Sequence, residues 1–198
     1  MRIAISGSAG IGKTTLARQL AEYYKIPMIA EGVREYLREK GLTLQEARAQ
    51  SLYDFQTAIW QRHSYLTQKY PDFIADRSFV DFLVYASYHI SPEADWLPEY
   101  INKVASYAYA YDLIIILPFG NFPIVSDGTR KTNPLYQRDI HRSVIDTAER
   151  YAVTVCKITG KPDKYLELAV AAIDATMRQK SLTSELGKDE RFLDSFSL

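Results

Sequence analysis

A glycine-rich segment of eight residues near the amino terminus constrains this chain more than any other feature. Residues 7–14 read GSAGIGKT and fit the pattern G-x-x-x-x-G-K-[ST] without a mismatch. The apolar residues 2–6 before it predict a short strand, and residues 15–24 after it have the spacing of an amphipathic helix. A strand, a glycine-rich loop and a helix in this order form a P-loop, which wraps phosphate groups.

The residue types in this segment suit the phosphates of a nucleotide. Glycines let the backbone turn sharply and bring its N–H groups close to phosphate oxygens, and the following helix start adds further donors. Lys13 carries a charge that neutralises the β- and γ-phosphates, and the Thr14 hydroxyl is a ligand for Mg2+. The nucleotide-binding residues predicted here are Gly7, Gly10, Ile11, Gly12, Lys13, Thr14 and Thr15.

The composition indicates one globular domain and gives no reason to expect a charged polymer as partner. Hydrophobic side chains make up 47% of the 198 residues, which is enough for a packed core. Lys and Arg number 24, as do Asp and Glu, so the net charge does not favour nucleic acid or an anionic membrane. One cysteine, Cys156, and the lack of a long apolar run or signal peptide lead us to expect a cytoplasmic protein. An oligomer is compatible with the sequence.

Strands and helices alternate along the chain. Strands are predicted at residues 2–6, 27–31, 72–76, 112–117 and 152–158. Helices are predicted at residues 15–24, 33–40, 43–70, 79–88, 98–108, 135–151 and 163–180. This order predicts an α/β three-layer P-loop NTPase fold, with a parallel sheet of about five strands and helices on both faces. We expect one domain over residues 1–180, with a lid at about 119–142 after strand four, and a C-terminal tail at 181–198.

The ends of the predicted strands hold the candidate catalytic groups, because ligands bind at the carboxyl edge of such sheets. Asp76 can hold Mg2+ or accept a proton from an acceptor hydroxyl, which leaves Ser78 to cap the next helix. Glu31 can bind a sugar hydroxyl or act as the base, and the sequence leaves the choice between the two carboxylates open. Gly160 lies in a tight turn that lets the backbone approach the adenine ring of ATP.

Basic residues near these positions are candidates for binding anionic groups. Arg34 and Arg77 lie close to the two carboxylates in sequence and would contact the substrate. In the loop after strand four, Arg130 would stabilise charge on a transferred phosphoryl group, and Asp127 would orient it or contact substrate. Further candidates on the following helix are Arg138 and Arg142. The histidines show no metal-binding spacing.

Four segments carry a resemblance to a known family. They read GSAGIGKTTLARQLA, AEGVREYL, FIADRSFVDF and PIVSDGTRKTNPLYQRDIHRSVIDTAERY. In this order they resemble the ribosylnicotinamide kinase domain of NadR-type proteins and its relatives among small P-loop ATP-binding proteins. The resemblance covers most of residues 1–180 and implies that Glu31 and Arg34 lie in the acceptor site and Asp76 near Mg2+. It also implies that Asp127 and Arg130 belong to the lid.

A second motif leaves the acceptor open. Residues 76–78, DRS, also resemble the D/E-R-[HSY] motif of deoxynucleoside and thymidylate kinases. Together the resemblances imply phosphoryl transfer that depends on ATP and Mg2+, with Lys13, Asp76, Glu31 and Arg130 as catalytic residues. The acceptor is a nucleoside, a nucleoside monophosphate or nicotinamide riboside.

Other classes of P-loop protein fit the sequence less well. A regulatory GTPase should carry N-K-x-D, and residues 102–105 read NKVA. A AAA+ remodelling ATPase needs a strand that ends in adjacent acids, and strand three ends in one. The alternative that stays open is a nucleotide-binding switch or accessory ATPase acting on a protein partner, with Phe192, Leu193 and Phe196 as its docking element.

Overall fold

The computed structural model describes residues 1–123, 133–151 and 154–194. Within them, five parallel strands form one sheet in the order β2-β3-β1-β4-β5. The strands are β1 (Arg2–Ser6), β2 (Met28–Ile29), β3 (Phe73–Asp76), β4 (Leu113–Ile116) and β5 (Val155–Lys157). The predicted three-layer α/β fold is therefore confirmed.

Helices cover both faces of the sheet. They are α1 (Lys13–Tyr24), α2 (Val33–Lys40), α3 (Leu44–Gln50), α4 (Leu52–Lys69), α5 (Phe79–His89), α6 (Leu97–Ala105), α7 (Pro134–Arg150) and α8 (Tyr165–Asp194). Alternate residues of β1 point to opposite faces, as a strand requires. Ile3 and Ile5 pack with α1 and α8, whereas Ala4 packs with α4, α5 and α7.

The register of the sheet brings the strand ends together. Ile5 pairs with Asp76 in β3, and Ser6 pairs with Ile116 in β4. The loop that follows β1 therefore starts between Asp76 on one side and the segment after β4 on the other. This arrangement sets the place of the site described below.

One predicted helix is two helices in the structure. The expected helix 43–70 is interrupted at Ser51, whose backbone is extended and whose side chain accepts a hydrogen bond from the Asp54 N–H. Helical spacing continues across this serine, but its hydroxyl caps α4 and ends α3. A capping box of Thr43 and Glu46 starts α3.

Element ends differ from the predictions in other places. Strand β2 has two residues and ends before Glu31, which therefore lies in the loop after it. Helix α1 begins at Lys13 with Gly12 as its cap. Helix α8 runs through the expected boundary at residue 180, so the division into domain and tail stays a prediction. Among the described residues, no helix is long and apolar enough to cross a membrane.

Candidate active site

The glycine-rich loop adopts a conformation that only glycine tolerates easily. Gly12 has φ +95° and caps α1, and Gly7 has φ +128°. A Cβ on Gly12 would lie 3.1 Å from Cε2 of Phe122, and one on Gly7 would lie 2.6 Å from Cδ1 of Ile11. These glycines let the loop turn tightly in front of α1, where Gly10, Gly12 and Lys13 line a cleft that fits a chain of phosphates.

Lys13 is a buried cation on this loop. Its ammonium group donates to the Ser8 carbonyl at 2.6 Å, and no described carboxylate forms an ion pair with it. Burial, and then the nearby charge of Arg77, lowers the pKa of Lys13 to about 8. An ammonium group held in this way gains from an anionic ligand, which is the role that the sequence predicts for it.

Thr14 and Asp76 come together beside Lys13. The Thr14 hydroxyl donates to Oδ2 of Asp76 at 2.5 Å. Burial raises the pKa of Asp76, and Glu31 adds to this effect while Lys13 opposes it. A hydroxyl and a carboxylate oxygen are the hard ligands that Mg2+ uses when phosphates complete its coordination. In the described part of the chain no cluster of three His, Cys, Asp or Glu residues forms a metal cage, and this pairing does not need one.

Glu31 and Arg77 form an ion pair across the neighbouring strand ends. Arg77 donates from Nε to Glu31 at 2.7 Å and from Nη1 to Asp81 at 3.3 Å, and its guanidinium lies 4.7 Å from the ring centre of Tyr85. Burial alone would raise the pKa of Glu31, but Arg77 and then Lys13 hold it below its usual value. Glu31 thus stays ionised and bound to Arg77.

Asp81 and Gln137 were not predicted from the sequence, and both support the P-loop. Asp81 is fully buried and accepts from the Gly7 N–H at 3.2 Å and from the Ser78 N–H at 3.0 Å. Gln137, on α7, accepts from the Ala9 N–H at 2.9 Å. The capping box that Ser78 and Asp81 form was readable as S-x-x-D in the sequence. No sequence signal indicates Gln137.

A cleft of about 1110 Å3 contains most of the predicted site. Its donor half, next to the P-loop, is lined by Gly10, Gly12, Lys13, Thr14, Thr15, Phe122, Pro123, Pro162, Asp163 and Tyr165. Its acceptor half is lined by Glu31, Arg34, Arg48, Phe55, Gln56, Ile59, Arg77, Phe82, Tyr85, His89 and Tyr136. Asp76 also lines the cleft and accepts from Thr14 of the donor half.

Several predicted residues lie elsewhere. Ile11 is buried in the core, and Gly160 turns beside the cleft, where its carbonyl accepts from Asn121 at 2.8 Å. Arg138 and Arg142 do not line the cleft: their side chains are 64% and 85% exposed and point along the outer side of α7, near Asp139 and Asp146. Gln137 and His141 take the inner side instead.

The remaining predictions lie outside the described residues or their side chains. They concern Asp127, Arg130, Phe192, Leu193 and Phe196. The predicted lid is described at 119–123 and from residue 133 onward.

The sheet order and the loop define the class of this protein. A parallel sheet with the P-loop strand at its centre, a lysine at the loop and a carboxylate at the end of the adjacent strand form a three-layer P-loop nucleotide-binding fold. The chain belongs to an AAA domain family, whose sequence profile matches residues 2–164. Strand β3 ends in the single acid Asp76 and not in the adjacent acids that a AAA+ remodelling ATPase needs.

Individual relatives point to small-molecule kinases. A cytidylate kinase of Desulfurococcus amylolyticus is 43% identical over 56 residues, or 27% of this chain and 30% of that protein. A NadR protein in complex with NR superposes with a TM-score of 0.69 at 22% identity, covering 88% of this chain and 50% of that one. Deoxyadenosine kinase from M. mycoides with bound dCTP superposes with a TM-score of 0.65 at 14% identity, covering 88% of this chain and all of that one. The two structures show the shared fold, and this chain spans less than half the length of the curated relatives that it matches.

Proposed function

We propose that this protein is an ATP- and Mg2+-dependent kinase that phosphorylates a nucleoside-like or nucleotide acceptor. One observation carries the proposal: a single cleft runs from the P-loop, past Asp76, into a second half with aromatic walls. A protein that only hydrolyses ATP needs the first half alone. The kinase relatives and the kinase folds named above support the same interpretation.

The donor half has the groups that ATP requires. Lys13 and the N–H groups at the start of α1 would bind the phosphates, and the hydroxyl of Thr14 with the carboxylate of Asp76 would hold Mg2+. When bound, Mg2+ would neutralise charge that develops on the phosphates. Phe122 and Tyr165 line the same half and offer apolar surface to a purine ring.

Asp76 suits the role of base better than Glu31. A base needs an oxygen that is available for a proton, and Glu31 is already bound by Arg77 through a charged hydrogen bond. Asp76 instead lies at the P-loop, where it accepts from the Thr14 hydroxyl. We therefore assign contact with the acceptor hydroxyl or phosphate to Asp76. Glu31 would hold Arg77 at the border of the two halves, where the guanidinium neutralises the transferred group.

The acceptor half fits a flat ring attached to a polar group. Phe55 and Phe82 provide apolar walls, and the amide of Gln56 lines the same space. The acceptors that fit are nucleosides, their monophosphates and nicotinamide riboside, the last suggested by the resemblance to NadR-type proteins. Arg34 also lines this half and is suited to an anionic group on the acceptor.

The test is ADP release from Mg-ATP over a panel of nucleosides, deoxynucleosides, their monophosphates and nicotinamide riboside. We expect one acceptor class to stimulate ADP release, with one phosphorylated product formed for each ADP. Lys13→Met should lower this rate by about 100- to 1000-fold, while the exposed Lys40→Met, outside the cleft, should not. Slow hydrolysis that no acceptor stimulates would contradict the proposal and favour the switch instead.

A further inference from the structure

Arg48 lines the acceptor half of the cleft from helix α3. The capping box at Thr43 fixes the start of this helix, and Ala47 is buried in the core that α4 also contributes to. The neighbouring Arg48 is thereby held at the cleft wall, with its guanidinium 6.0 Å from the ring centre of Phe55. Its position therefore follows from a short, well-anchored helix.

The guanidinium of Arg48 lacks a counter-ion in the described part of the chain. Its Nε is buried without a hydrogen-bond partner, and no carboxylate contributes to its electrostatic surroundings. Burial lowers the pKa of Arg48, and no described carboxylate lies near enough to raise it again. Arg77, by contrast, binds both Glu31 and Asp81.

One wall of the cleft connects Arg48 to the reaction centre. Arg77 holds Glu31 and lies over the ring of Tyr85, and Tyr85 and Arg48 both line the acceptor half. An acceptor that places its reactive group at Asp76 and passes Arg77 therefore directs its far end to Arg48. The walls on the way are the aromatic rings of the acceptor half.

From this arrangement we infer that Arg48 is a specificity-determining residue that reads the far edge of the acceptor ring. A guanidinium has only donors, so it binds carbonyl oxygens, ring nitrogens or a carboxylate and repels a cation. The preferred acceptor is thus a neutral or anionic ring with hydrogen-bond acceptors at that edge. Nicotinamide riboside, whose pyridinium ring gives it a net positive charge, is disfavoured, whereas the carboxylate of nicotinic acid riboside balances the same ring charge. The inference rests on the proposed function, because it names the acceptor class of that reaction.

Equilibrium binding without ATP tests the inference. The probes are cytidine, uridine, nicotinic acid riboside and nicotinamide riboside, titrated by calorimetry into the wild type and Arg48→Met. Cytidine monophosphate is titrated beside cytidine to detect a contact with phosphate. We expect Arg48→Met to weaken the tightest of the first three about 10- to 100-fold and to leave nicotinamide riboside unchanged or bound more tightly. Arg48→Lys, which keeps the charge but loses the planar fork, should recover part of the loss. Arg38→Met, an exposed arginine outside the cleft, is the matched control.

Other outcomes would overturn the inference. If Arg48→Met weakened the binding of nicotinamide riboside as much as that of the other probes, Arg48 would not discriminate by charge. If it weakened the binding of cytidine monophosphate but not of cytidine, Arg48 would bind a phosphate and not the ring. Neither result would affect the kinase proposal, which acceptor-dependent ADP release by the wild type tests separately. If no probe bound and none stimulated ADP release, both proposals would be wrong.

Discussion

At the scale of single residues, two carboxylates with similar sequence contexts have opposite environments. Glu31 is paired with Arg77, which keeps it ionised, whereas the charged form of Asp76 is disfavoured by burial. Each shift is also a statement about stability, because the group binds protons differently in the folded and unfolded chain. Folding therefore gains from the charge of Glu31 and loses from the charge of Asp76.

Substitution of the two carboxylates should therefore change stability in opposite directions. Glu31→Gln should lower the free energy of unfolding by about 2 kcal/mol at pH 7, since a charged hydrogen bond to Arg77 is lost. This loss should shrink as the pH falls below 4.5, because Glu31 takes up a proton first in the unfolded chain and only at lower pH in the folded protein. Asp76→Asn should be more stable than the wild type, and the difference should grow as the pH rises from acid to neutral, because only the wild type then carries the disfavoured charge. The same substitution should abolish turnover.

Urea denaturation at pH 4 and pH 7, without nucleotide or Mg2+, measures both effects. Asp54→Asn, an exposed acid in the first turn of α4, serves as the control. A stability loss for Glu31→Gln that is as large at pH 4 as at pH 7 would contradict the ion-pair explanation.

Some residues of the site could be predicted from the sequence and others could not. Lys13 and Thr14 follow from a motif, and Asp76 follows from the rule that parallel strands end at one edge. Arg48 and Gln137 reach the cleft through the packing of α3 and α7 on other helices, which no local pattern records. Because Arg138 is charged, the sequence points to it as a site residue in preference to its neighbour Gln137. In the structure Arg138 is exposed, and the buried Gln137 contacts the P-loop.

At the scale of elements, the join between the P-loop and α1 is the most constrained. Gly12 caps α1 in a left-handed conformation, and the ring of Phe122 closes the space beside it. A similar conformation occurs at Gly41, which ends α2 with φ +64°, and a Cβ added there would meet nothing within 4 Å. Substitution of Gly41 therefore tests the effect of backbone strain alone, whereas substitution of Gly12 adds a contact within the site.

Gly12→Ala should cost the protein its nucleotide affinity, and Gly41→Ala should not. Both changes should destabilise the fold by about 1–2 kcal/mol, because both force alanine into a left-handed conformation. Only Gly12→Ala adds a methyl group to the cleft, 3.1 Å from the ring of Phe122, so we expect ATP to bind about 10- to 100-fold more weakly. Titration of ATP by calorimetry measures this difference, and equal affinities in the two variants would contradict it.

Element boundaries were harder to predict than element types. Alternation of strands and helices was enough to predict the sheet, because each crossover connects parallel neighbours. The break at Ser51 was missed because apolar spacing runs through it, and the two-residue β2 was overestimated because Glu31 follows apolar residues in sequence. In both cases hydrogen bonding, rather than hydropathy, decided where the element ends.

At the scale of the whole molecule, the sheet separates two cores that hold the parts of the site in one place. One core lies under α1 and α8 and supports the P-loop, and the other lies under α4 to α7 and supports the acceptor half. A ligand that binds only the folded chain stabilises it as a whole. ATP at about 100 times its dissociation constant should therefore add about 2.7 kcal/mol to the free energy of unfolding. Urea curves with and without Mg-ATP measure this, and no shift would contradict the proposed donor site.

Asp81 joins the two halves of the cleft, because one buried carboxylate binds the Gly7 N–H and the Arg77 guanidinium. A shift of the P-loop therefore changes the position of Asp81 and hence of Arg77, and a shift of Arg77 changes the position of the loop in the same way. In thermodynamic terms the two substrates share a coupling free energy, so that each should change the affinity of the other by the same factor. Asp81→Asn should bring that factor towards one, which affinities measured with and without a non-hydrolysable ATP analogue would reveal. The affinity of each half of the cleft for its ligand would then depend, through Asp81, on whether the other half is occupied.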